Sequence, residues 1–193
     1  MTRVLLVVVL FASTLTSMLA RGHGPAILGD EPVEVPDPTV SWAWVGAFVD
    51  GDEFFEVVLD YPDEGFALPV EMLVPHQAAL EDHRPAYAVV GPGLPPPTDE
   101  VRAFLPRDVP DGLGVFVEDN AADDRAVIFE GVLRRVYWSS GPVALAVDAG
   151  RTSIWIWCPA RTTGAFTLGI GVEEDFDGDA IADLFQHWPT YAY

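Results

Sequence analysis

Short apolar runs, with Gly, Pro, Asn or Asp in each gap between them, follow one another from residue 40 to residue 172. They are Val40–Val49, Glu53–Leu59, Ala67–Val74, Ala86–Val90, Leu113–Val117, Ala126–Phe129, Arg134–Trp138, Val143–Val147, Ser153–Cys158 and Ala165–Val172. Most are rich in aromatic or β-branched residues, and none carries apolar residues at a helical spacing of 3.6. A strand needs only about five or six residues, so the pattern predicts about eight to ten strands. Strands at this density, separated by turn signals, make an all-β chain: an antiparallel, jelly-roll-like β-sandwich over residues 39–172. Side chains alternate along a strand, so Phe55 and Val57 share one face, and Phe54 and Glu56 the other. By the same rule Ile154 and Ile156 point together into the core. Asp50-Gly51-Asp52 reads as a hairpin-like turn. Gly91–Pro97 (GPGLPPP) reads as a rigid surface loop, because its prolines lack the backbone donor a central strand requires.

Three segments flank that block. Residues 23–38, rich in Gly, Pro and acids, read as a lead-in. Residues 173–193 form an acidic C-terminal segment with one predicted helix. Asp179 would cap it, Ala180–His187 would form it, and Pro189 would stop it. Residues 1–22 read as a secretory signal: Arg3 supplies a positive start and Val4–Ala12 an unbroken apolar run. Ala20-Arg21-Gly22 places small residues where cleavage needs them and would leave His23 as the new N-terminus. An uncleaved anchor is the alternative, although Ser13, Thr14, Thr16 and Ser17 dilute the span. The expected location is outside the cell or in its envelope.

Charge narrows the partners. The chain has 30 acidic and 10 basic side chains, a net charge of −20, and every basic residue is arginine. Such a surface repels nucleic-acid phosphates and anionic lipid, which excludes nucleic-acid binding and membrane insertion of the processed domain as expectations. Cys158 is the single cysteine, so no internal disulfide braces the fold. Its apolar neighbours Trp157 and Pro159 point to a buried, inert thiol.

Two stretches carry a family likeness. Val45–Leu59 (VGAFVDGDEFFEVVL) and Ala149–Val172 (AGRTSIWIWCPARTTGAFTLGIGV) resemble the opening hairpin and closing strand pair of bacterial pre-peptidase C-terminal domains. His23-Gly-Pro, Asp37-Pro-Thr-Val-Ser-Trp, Val90-Gly-Pro-Gly-Leu-Pro and Thr163-Gly-Ala-Phe-Thr-Leu resemble an exported prokaryotic β-sandwich family. The likeness implies a jelly-roll-like sandwich acting as an accessory or binding module, and it transfers no catalytic residue. The Trp-Ile-Trp strand departs from the Tyr-rich strand of the pre-peptidase type.

Three constellations could carry chemistry. Asp175, Asp177, Asp179 and Asp183, with the carbonyl of Ile181, have the spacing of a calcium loop that converges oxygens on a hard cation. The stretch resembles the DxDGDxxxD loops of integrin-like propeller repeats. It is a poor EF-hand, because Ala180 and Gln186 stand where Gly and Glu are needed. The alternative is a solvated acidic cap on a short helix. Next, a processed His23 could clamp copper through its amine and ring, with His76, His83 or His187 completing the site. Last, Trp155 and Trp157 share one face of their strand, as do Trp42 and Trp44 on theirs. Either those strands are covered on both faces, or Trp155 and Trp157 form an exposed aromatic patch for a glycan or protein at the cell surface. There is no GxSxG elbow, and nothing in the sequence links Cys158 to a histidine. The reading is therefore an exported, non-enzymatic binding module, with calcium as its leading candidate cofactor. Its alternatives are an extracellular enzyme, metal-dependent or acid–base, and a structural envelope component.

Overall fold

The computed structural model describes residues 24–35, 37, 40–61, 63–130 and 134–171. The predicted signal, His23, the Asp175–Asp183 loop and the Ala180–His187 helix lie outside the described residues. Among the described residues there are twelve strands: β1 (Gly24–Ile27), β2 (Val33–Glu34), β3 (Trp42–Phe48), β4 (Phe54–Tyr61), β5 (Phe66–Pro75), β6 (Ala86–Gly91), β7 (Gly114–Glu118), β8 (Ala126–Glu130), β9 (Arg135–Ser139), β10 (Val143–Val147), β11 (Gly150–Trp157) and β12 (Gly164–Ile170). One helix, α1 (Asp99–Phe104), and a 3-10 turn at Ala78–Leu80 join them.

The strands form two sheets, ordered β1-β3-β12-β5-β9-β8, with β10 also on β5, and β2-β4-β11-β6-β7. The β-sandwich expected from the sequence is present. Its sheets are mixed rather than purely antiparallel, because β1 runs parallel to β3 and β2 parallel to β4. The cause lies in residues 24–34, expected as lead-in. The chain leaves the first sheet after β1, adds β2 to the second and returns as β3. A strand rejoining its sheet by such a crossover, and not by a hairpin, arrives parallel.

Between the sheets lies the core. Phe55, Val57 and Leu59 of β4 meet Leu68, Val70 and Met72 of β5 there, with Ile154 and Ile156 buried as expected. The rings of Phe48, Phe55 and Phe166 pack with centroids 5.1–5.4 Å apart, two of the three contacts edge-to-face, the favoured aromatic geometry.

The second sheet carries a further apolar layer on its outer face. Ala86, Ala88, Val90, Val115, Trp155 and Trp157 are buried there beneath Val101, Leu105, Val109 and Leu113. This cover explains why every residue of β6 is buried and why Trp155 and Trp157 of β11 are buried on their outer face. It is built on α1, the helix that sequence periodicity did not reveal. The local signal was present: the Thr98 hydroxyl accepts from the Val101 N–H at 3.2 Å, and Asp99 and Glu100 occupy the first turn. With fewer than two turns, however, α1 shows no period.

β9 and β10 lie along one side of β5 as a single strand broken by a bulge. Leu73 pairs with Ser139 and Val70 with Val143, so three residues on one strand face two on the other. Gly141 absorbs the kink with φ +83°.

Candidate functional site

A recess of about 400 Å³ opens on the covered side, where the β3–β4 turn, the end of α1 and the loop after β11 meet. Asp52, Phe54, Phe104, Trp157, Pro159 and Arg161 are among the residues that line it.

Its backbone is tightly fixed. The Glu53 carboxylate closes the turn, accepting from the N–H groups of Val49 at 2.5 Å and of Asp50 and Gly51 at 2.8 Å. Burial pushes the Glu53 carboxyl up, but the backbone bonds at Asp50, Glu53, Val49 and Gly51 together hold it below its ordinary value. Gly51 has φ +79°, and a Cβ there would sit 2.2 Å from the Arg161 carbonyl oxygen. Turn and loop thus interlock through a position that admits no side chain. Arg161 itself sits at φ +52°, its N–H donating to Cys158 O at 3.0 Å. A non-glycine residue held in this region is uncommon, and here it lies on a pocket wall.

The aromatic wall is a corner rather than a floor. Phe104 meets Trp157 edge-to-face, centroids 5.4 Å apart at 61°. Phe104 is 37% exposed and Trp157 only 7%. Behind them the Arg107 guanidinium lies 3.6 Å from the Phe54 ring centre and 5.2 Å from that of Trp155. It also reaches Glu56 Oε2 at 3.2 Å, while Glu56 Oε1 accepts from Trp155 Nε1 at 3.2 Å. Trp155 and Trp157 are therefore covered on their outer face, and they do not form an exposed platform. Trp42 stacks on Trp44 at 5.7 Å, and Trp44 is buried in the core.

The thiol has a histidine partner that the sequence did not disclose. Cys158 Sγ is 3.2 Å from Thr162 Oγ1, which is 2.8 Å from His83 Nδ1. Cys158 and Thr162 share the loop after β11, and the fold brings His83 to them from 79 positions away. His83 is 2% exposed, and its Nε2 has no hydrogen-bond partner. Burial pushes its pKa down to about 4, helped by the charges of Arg125 and Arg84 and opposed by the Gly164 backbone. Cys158 is itself 4% exposed. The chain of three is a buried polar contact just behind the recess, whose wall includes Cys158.

The His76 ring packs against Trp138, centroids 4.6 Å apart and tilted by 50°. Among the described residues no three His, Cys, Asp or Glu side chains are placed to hold a metal. No helix among them is long and apolar enough to cross a membrane.

No protein-family model matches the sequence, and no curated protein matches it. Among solved structures, the chain is similar to the pre-peptidase C-terminal domain of a collagenase from Bacillus anthracis. That match has a TM-score of 0.39 and 6% identity, and covers 74% of this chain and 96% of that one. A likeness at this level carries no argument for family or activity; the sandwich stands on its own strand pairing.

Proposed function

We propose that this chain is a non-catalytic binding module that works outside the cell or in its envelope and takes a protein partner in the recess around Phe104. The observation that supports this most is the recess itself: a rigid backbone, an aromatic corner, and Asp52 and Arg161 beside it. A corner of two rings at 61° suits an inserted apolar side chain. A pyranose ring needs a flat aromatic face, and Trp157 offers almost none. The acidic loop Asp175–Asp183 is proposed as a calcium site that stabilises the module, since four aspartates at that spacing repel one another without a counter-ion.

The test is a titration of the purified protein, in millimolar calcium and in chelator, against panels of aromatic peptides and oligosaccharides, read by tryptophan fluorescence. A saturable peptide response that Phe104→Ala weakens at least tenfold, with an unchanged melting temperature, supports the recess. A response to oligosaccharides alone, or one indifferent to Phe104→Ala, overturns it. A calcium-dependent rise in melting temperature that Asp177→Ala abolishes supports the metal site. An equal rise in that variant reduces calcium to general screening of charge.

A further inference from the structure

Among the described residues five strands lie at a sheet edge. β10, paired only with β5, exposes just the small Ala144 and Ala146, and three of the other four are guarded. β2 has only two residues, and β1 contains Pro25. β7 gives its Val115 N–H to Pro95 O at 2.8 Å. β8 differs. It is five residues long, has neither proline nor lysine, and ends its sheet with no described strand beyond it. Edge strands without such protection are templates for another strand. On one face of this strand Val127 is 55% exposed and Phe129 67%, and Val136, paired with Phe129, is 42% exposed.

We propose that β8 is the contact through which two copies of this chain associate, antiparallel across a twofold axis at Ile128. Three features favour a second copy as the occupant. First, the register is self-complementary. Ile128 meets its own equivalent, Val127 faces Phe129 of the other copy, and Phe129 faces Val127. Aromatic–β-branched cross-strand pairs of this kind stabilise a sheet. Second, charge permits it. The chain carries −20, yet residues 123–135 hold three arginines (Arg125, Arg134, Arg135) against Asp123, Asp124 and Glu130. Two copies can approach here without the repulsion that the rest of the surface imposes. Third, β8 begins beside Arg125 and ends on Glu130, so antiparallel copies bring unlike charges near each other at both ends.

The contact is small. A five-residue strand pair falls below the roughly 1,000 Å² of a stable interface, so the association is weak and reversible. It also has a sign of its own. Salt screens the repulsion between two acidic bodies and leaves the apolar contact intact, so dimerisation strengthens as salt rises.

Sedimentation of the purified protein from micromolar to millimolar concentration, at low and high salt, tests this. The expected result is a weight-average mass rising toward twice the monomer, sooner at high salt. Val127→Lys and Phe129→Lys should each raise the dissociation constant at least tenfold without lowering the melting temperature, since both side chains are exposed. Ile128→Cys should form a symmetric disulfide under mild oxidation, because Cys158 is buried and does not compete. A monomer at every concentration and salt, or lysine variants that dimerise like the parent, would overturn the proposal. So would a monomer whose β8 edge instead takes up an extended peptide of another protein, displaced by the same two lysines.

Discussion

β11 and β8 are both strands with apolar residues on both faces, yet one is sealed and the other is bare. β11 packs Ile154 and Ile156 into the sandwich core and Trp155 and Trp157 under the layer built on α1. β8 leaves Val127 and Phe129 in solvent. A strand with two apolar faces calls for two covers. For β11 the second cover is the stretch from Val101 to Leu113, which reaches it only after the chain has passed through β6. For β8 the described chain supplies none, and a partner from outside completes the logic.

The comparison makes a direct prediction, and it is the largest one. Trp155→Ala removes a side chain that is 3% exposed and packed on both sides, and should cost about 3–5 kcal/mol. Phe129→Ala removes a ring that is 67% exposed and should stay within about 0.5 kcal/mol. Urea unfolding of the two variants, at concentrations where the parent is monomeric, measures both. Equal losses would break the contrast and show that β8 is covered after all.

A smaller effect comes from inside the sealed region. The His83 ring is neutral in the folded protein down to a pKa of about 4, but takes a proton near 6.5 when unfolded. Below pH 6.5 the unfolded state therefore binds the proton first. Stability is undiminished above pH 6.5, falls as pH drops from 6.5 to about 4, and levels off below that. The full loss is on the order of 3 kcal/mol. Protonation of the many acids acts in the opposite direction over the lower part of this range, by relieving repulsion. The parent alone is thus ambiguous, and the measurement is the difference between parent and His83→Gln across pH 4–8. A pH dependence that the substitution leaves unchanged would show that His83 is accessible to protons in the folded state.

Much of the sandwich is written in short-range pattern. Alternation along β4 put Phe55 and Val57 on one face, and along β11 it sent Ile154 and Ile156 into the core, because a two-residue period survives even in short strands. Three kinds of information are not local and stayed hidden. The parallel edges β1 and β2 depend on a crossover between sheets, which leaves no mark on the sequence of either strand. Trp155 and Trp157 carry the same pattern whether a layer covers them or not, so exposure could not be read from them. The Cys158–Thr162–His83 contact joins residues up to 79 positions apart, and the recess is made by a turn, a helix end and a loop that meet only in space. The aspartate loop is the reverse case, legible as a spacing but lying outside the described residues.

The smallest effect tests how the cover is held on. Arg107 stacks over Phe54 at 3.6 Å and pairs with Glu56 at 3.2 Å, which in turn holds the Trp155 indole. The Arg107 side chain is 45% exposed, so water weakens the ion pair, while the stacking, packed flat against a ring, is less affected. Arg107→Ala should cost about 1 kcal/mol in all. Arg107→Lys should recover less than half of that, because a compact ammonium cannot lie flat on a ring and reach the carboxylate together. A double-mutant cycle with Glu56→Gln separates the two parts. The coupling should shrink as salt rises, and the loss that persists in the Glu56→Gln background should not. Full recovery by lysine, or a loss that vanishes at high salt, would mean that charge alone fastens this layer. β11 would then depend on a contact that salt removes, whereas the apolar contact at β8 strengthens with salt.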